Sequence, residues 1–137
     1  MISAINHITL SVRNLETSFD FYTNILGLRP VARWYNGAYL EAGGDWVCLN
    51  VDPDVRSTAL AEYTHTAFTV SKDDFSILTD RLRQFGAVCW QQNRSPGESH
   101  YFLDPDGHKL EIHTSTLADR MRAMTHNPPK DLILFDP

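Results

Sequence analysis

The stretch "FLDPDGHKLEIH", Phe102 to His113, packs His108, Glu111 and His113 behind a turn. Strand alternation puts Glu111 and His113 on one face and Leu110 and Ile112 on the other. An acid and an imidazole on one strand face are either ordinary solvated polarity or part of a metal site. Two further histidines bear on the choice. His7 opens "HITLSV" and His65 opens "HTAFTV", 58 residues later, and both segments alternate as strands and end in Val. Two imidazoles in equivalent register plus a carboxylate can occupy three positions around a divalent cation and leave others open for substrate. Manganese, iron(II), zinc and nickel all suit such a nitrogen and oxygen ligand set. Spacing does not choose between Glu111 and His113 as the third ligand. His108 should sit in the turn or on the opposite strand face, and His100 and His126 read as structural or surface residues.

The elements that would position these groups form a repeat. Asn14 can cap "LETSFDFYTNILG", whose apolar face carries Leu15, Phe19, Tyr22 and Leu26, and Gly27 ends it. Ser71 can cap "KDDFSILTDRLRQFG", with Phe75, Leu78, Leu82 and Phe85 on one face and Gly86 at the end. Three strand-like segments follow each helix: "LRPVARWY", "GAYLEA" and "DWVCLNV", then "AVCWQQN", "SHYFLD" and "HKLEIHT". Asn36-Gly37, Gly43-Gly44-Asp45 and Asp104-Pro105-Asp106-Gly107 supply the turns. The expected fold class is therefore α+β, two βαβββ modules in a single domain over 1–137. Module 1 covers about 1–56, module 2 about 57–115, and a C-terminal helix and tail fill 116–137. The helix is expected to begin after Ser115 or Thr116. Each module leaves one sheet face to cover, and pairing the modules would bury those faces around a cavity.

Composition narrows the function. The chain has 137 residues, 42% hydrophobic and 21% charged, with a net charge of −5 and no basic cluster, which argues against a nucleic-acid surface. No apolar run is long enough to cross a membrane, and the N-terminus does not read as a signal peptide. Cys48 and Cys89 lie in strand-like runs and are expected to be free, buried thiols, which fits a cytoplasmic location.

The repeat, with "NHITLSV", "ARWYNGAYLEAG", "YTHTAF" and "QNRSPGESHYFLDPDGHKLEIH", resembles the vicinal oxygen chelate, or glyoxalase-fold, superfamily. Within it the chain is most similar to the glutathione-dependent fosfomycin-resistance transferases. That resemblance implies a manganese(II) enzyme that opens the epoxide of fosfomycin with glutathione, with His7, His65 and Glu111 as metal ligands. It implies a homodimer that exchanges modules, so that His7 of one subunit joins His65 and Glu111 of the other. Thr9, on the strand face of His7, would place a hydroxyl near the leaving oxygen. Ser95, Ser99, Tyr101 and Arg120 would bind the phosphonate, with Thr9, Tyr101 and Arg120 as catalytic groups. The loop Ser95–Ser99 would also bind potassium. Tyr39, Trp46 and Tyr63 would line the pocket, and Trp34 and Trp90 would pack. Gln91 departs from the pattern, because the resembling enzymes usually carry Lys there; Arg94 falls on the opposite strand face and Pro96 alters the loop. Two alternatives share the fold: an epoxide hydrolase, for which Glu41 or Asp45 would have to serve as base, and a drug-sequestering protein, which typically lacks the metal ligands. A dioxygenase of this fold usually comes from a larger chain.

Overall fold

Alternating apolar residues build two four-stranded sheets in the computed structural model, which describes residues 1–136. Pro137, the last residue of the expected tail, lies outside the described residues. The first sheet contains β1 (His7–Val12), β2 (Arg29–Trp34), β3 (Gly37–Ala42) and β4 (Asp45–Val51) in the order β1-β4-β3-β2. The second contains β5 (Thr66–Thr69), β6 (Cys89–Gln91), β7 (Ser99–Leu103) and β8 (Lys109–His113) in the order β5-β8-β7-β6. In each, the first strand pairs in parallel with the last and the other pairings are antiparallel. The βαβββ repeat is thus present twice, with the same strand order.

Helix caps follow the sequence signals. The Asn14 side chain accepts from the Thr17 backbone N–H and starts α1 (Leu15–Asp20). Ser71 accepts from the Asp74 N–H and starts α2 (Lys72–Phe85), which Gly86 closes in the left-handed conformation, φ 85°. Thr116 and Asp119 cap one another's backbone at the start of α3 (Leu117–His126), none of whose residues is buried.

The first helix differs from a simple 3.6-residue periodicity. After Asp20 it widens into a π-helical turn, Phe21–Ile25, where the Leu26 N–H donates to the Phe21 carbonyl at 3.0 Å. Leu15 and Ser18 are the buried residues of α1, and the face that they mark carries two consecutive aromatic side chains into the core. Phe21 and Tyr22 are both 0% exposed, whereas Phe19, expected on the apolar face, is only partly buried. Phe21 stands 5.1 Å from the Phe85 ring and 6.3 Å from the Phe102 ring, so one residue of the first module packs on two of the second.

A single apolar cluster results, shared by the helix-covered faces of both sheets: Leu10, Leu40 and Leu49 from the first, Leu82, Phe102 and Leu110 from the second. The opposite face of the first sheet stays open. His7 and Thr9 are exposed there, as are Trp34, Tyr39 and Trp46. The thiols divide as well. Cys48 is buried, but Cys89 lies on the edge strand β6 and is exposed, contrary to expectation, because no strand covers that edge.

Truncating the two aromatic residues tests which of them the core depends on. Phe21→Ala is expected to destabilise the fold by about 3–5 kcal/mol and Phe19→Ala by clearly less, measured by urea unfolding. The reverse order would contradict the burial of Phe21.

Candidate metal and substrate site

Register places the candidate residues on two sheet faces. On the first sheet His7 pairs with Trp46, and Cys48 pairs with both Thr9 and Tyr39, so His7, Thr9, Tyr39, Trp46 and Cys48 share the open face. Trp46 lies 4.4 Å from the His7 ring and 5.0 Å from the Tyr39 ring. On the second sheet Ser99 pairs with His113, and Glu111 pairs with both Ala67 and Tyr101. That face carries Ser99, Tyr101, Glu111 and His113, with His65 immediately before β5.

The second-sheet cluster is tightly bonded. The Tyr63 carbonyl accepts from His65 Nδ1–H at 2.9 Å, which turns Nε2 toward Glu111. That Nε2 lies 2.9 Å from Glu111 Oε2. The other carboxylate oxygen lies 3.2 Å from His113 Nδ1, and His113 also bonds to the Ser99 hydroxyl. His7 is anchored at Nδ1 as His65 is: its Nδ1–H donates to Asn6 Oδ1 at 2.7 Å. Two imidazoles anchored through Nδ1, and one carboxylate buried to 5% exposure, match the donor chemistry of a divalent cation.

A single chain does not bring the three together. Among the described residues no group of three His, Cys, Asp or Glu side chains is placed to hold one cation. His65 and Glu111 meet on the second sheet, while His7 stands on the first beside Trp46. A cleft of 630 Å³ touches His7, Trp46, Phe68 and Ile112 and reaches neither His65 nor Glu111.

Some of the polar residues named from sequence stand on the Glu111 face. Burial and the Glu111 charge hold the Tyr101 hydroxyl above its usual range, so it keeps its proton at neutral pH and can donate. Ser95 lies 3.5 Å from the Ser99 hydroxyl and donates to Asn93 Oδ1 at 2.9 Å. The Gln91 amide donates to the Tyr63 hydroxyl at 3.4 Å, so Gln91 faces this cluster. Arg120 sits on α3, partly exposed.

Trp90 is not merely a packing residue. Its ring lies 5.4 Å from His65 and 5.1 Å from Tyr101, with Lys109 Nζ 4.9 Å from the indole centroid. A bulge between Cys89 and Gln91 turns it toward this side, and strict alternation hides that. Trp34 packs edge-on against Tyr39 at 4.8 Å, as expected of a packing residue. His108 sits in the turn, His100 stacks on Phe102, and His126 bonds to its own helix.

Comparison with known proteins agrees with this architecture. Residues 4–112 match the family described as Glyoxalase/Bleomycin resistance protein/Dioxygenase superfamily. The chain is 48% identical over 130 residues to the glutathione transferase FosA of Serratia marcescens, covering 93% of this chain and 92% of that one. It is 40% identical over 124 residues to the metallothiol transferase FosB of Lysinibacillus sphaericus, covering 88% of each. Its fold superposes with a TM-score of 0.76 on FosX of Listeria monocytogenes complexed with Mn(II) and sulfate, at 28% identity, over 90% of this chain and 98% of that one. The protein therefore belongs to the glyoxalase superfamily and, within it, to the Fos group of fosfomycin-resistance enzymes.

Proposed function

We propose that this chain is a manganese-dependent transferase that adds the thiol of glutathione to the epoxide of fosfomycin, acting as a module-exchanged homodimer. The observation that carries the reading is the His65–Glu111 pair, with Nε2 aimed at a buried carboxylate and His7 identically prepared on a separate open face. Two copies exchanging modules would bring His7 of the partner subunit to His65 and Glu111. The 48% identity to a glutathione transferase supports the choice of thiol.

A divalent cation held there would neutralise the negative charge that grows on the epoxide oxygen as the ring opens. The chain's own groups do the rest. Ser95, Ser99 and Tyr101 present hydroxyls on one side of Glu111 and would bind the phosphonate, with Arg120 and the Gln91 amide as further donors. Thr9, two residues after His7, would offer its hydroxyl to the epoxide oxygen. Tyr39, Trp46, Tyr63 and Trp90 would wall the pocket and exclude water. The thiolate sulfur forms a bond to an epoxide carbon, that carbon's bond to oxygen breaks, and the oxygen takes up a proton equivalent to the one the thiol gave. Holding sulfur and carbon in line supplies the orientational part of the rate gain.

Potassium at Ser95–Ser99 would meet a loop whose Gly97 carbonyl accepts from Asn93 and whose Pro96 carbonyl accepts from Ser115. Hydration of the epoxide has a specific observation against it. Glu41 forms an ion pair with Arg29 on the neighbouring strand, which occupies it as a general base. A FosX variant from Listeria monocytogenes has nevertheless been crystallised with a dihydroxypropylphosphonic acid, so the test must tell a diol from a thioether.

Manganese-loaded protein with fosfomycin is expected to give a thioether with glutathione and no diol without it, read by phosphorus NMR. A diol in thiol-free buffer would assign a hydrolase, and tight binding without product a sequestering protein. Glu111→Ala is expected to abolish both metal binding and turnover; turnover retained without metal would contradict the mechanism. Gln91→Lys adds a cation beside the phosphonate and is expected to tighten fosfomycin binding by about fivefold or more, from ~1–3 kcal/mol of charge-assisted bonding. An unchanged dissociation constant by calorimetry would remove Gln91 from the site.

A further inference from the structure

Outside the candidate site, a buried polar network ties the two modules of one chain together. It centres on the turn Asp104–His108, which leads into β8. Asp104 Oδ1 accepts from the backbone N–H of Asp106 at 2.9 Å and of His108 at 2.8 Å, and its Oδ2 accepts from the Tyr22 hydroxyl at 2.6 Å. Asp106 accepts from the Arg13 N–H at 3.0 Å and the Ser18 hydroxyl at 3.3 Å. His108 Nε2–H donates to the Ser11 carbonyl at 2.7 Å. Gly107 holds the turn at φ 86°, where a Cβ would lie 2.9 Å from the Ala59 nitrogen. Ser11, Arg13, Ser18 and Tyr22 all belong to the first module. Asp104, Asp106 and His108 are each 8% exposed or less. Among the described residues no buried side-chain nitrogen or oxygen lacks a partner, so this polarity is fully matched.

The network's position gives it consequence. His108 precedes Glu111 by three residues. The strand it grips, β1, carries His7 and Thr9 ahead of Ser11. The His65–Glu111 pair is held locally by β5–β8 pairing. Beside the shared apolar core, the turn is a polar contact that joins the sheet bearing Glu111 to the sheet bearing His7.

We propose that Tyr22 and His108 are positioning residues for the metal site, fixing the angle between the two sheets of a chain through the Asp104–His108 turn. The inference rests on the exchanged-dimer reading: each chain lends His7 to one site and His65 with Glu111 to the other, so both sites close only at one angle. A slack turn would leave His65 and Glu111 paired but misplace the third ligand.

The test measures Mn(II) affinity by electron paramagnetic resonance, with light scattering for oligomeric state and circular dichroism to establish that each variant is folded. Tyr22→Phe and His108→Ala are expected to bind Mn(II) about tenfold or more weakly while remaining dimeric, the range seen when groups supporting a metal ligand are removed. His108→Gln, whose amide nitrogen can still donate to the Ser11 carbonyl, is expected to stay within about threefold of the parent. Wild-type affinity in either folded weakening variant overturns the role of that residue, and His108→Gln as weak as His108→Ala overturns the hydrogen bond as its cause. Tyr22→Phe keeps its ring in the core and so decides the matter should His108→Ala not fold. A parent protein that binds no Mn(II), or Glu111→Ala with undiminished affinity, would instead defeat the proposed function.

Discussion

A carboxylate taken out of water demands positive charge, and Glu111 is the residue on which that demand falls. It is 5% exposed, with an imidazole on each of its oxygens. The His65 tautomer makes the demand specific. Its Nδ1 hydrogen is committed to the Tyr63 carbonyl, so Nε2 is the atom that meets the carboxylate. A cation between the two would satisfy both donors. The surrounding hydroxyls of Ser95, Ser99 and Tyr101 are neutral donors, suited to an anionic ligand arriving at such a charge.

The architecture leaves the face that bears His7 available to the proposed site. One core joins the helix-covered faces of both sheets, with Phe21 reaching Phe85 and Phe102. Each chain therefore spends its apolar surface on holding its modules together by their covered sides. The face bearing His7, Trp46 and Tyr39 remains open, with three large aromatic residues exposed by 37–39%. Unpartnered aromatic surface on a sheet face is what a second copy would cover. The proposed site, completed between chains, would link metal binding to assembly and would give the buried turn at Asp104–His108 a task beyond stability.

Much of this was legible in the chain itself. His7 and His65 announce the repeat because each opens an alternating strand that a capped helix follows, and period-two alternation puts Glu111 and His113 on one face. Other features required the third dimension. A small polar residue, Ser18, takes the buried helix position that apolarity alone assigns to Phe19, and Phe21 lies on the same face. The bulge before Gln91 breaks alternation and brings Trp90 beside His65. Cys89 reads as buried because strand propensity does not say which strand is the edge. His108 sits in its turn as expected, yet its bond to the Ser11 carbonyl, 97 positions away, follows from tertiary packing alone.

The most direct measurement asks whether one site draws on two chains. His7→Ala chains and Glu111→Ala chains, each unable to hold metal alone, are co-expressed and the mixed protein is assayed for bound Mn(II). Exchange between chains rebuilds one intact site in every mixed dimer, so random pairing should recover about a quarter of the parental metal content. If the mixture binds no more metal than the two variants apart, the ligands do not meet across the subunit boundary and the account fails.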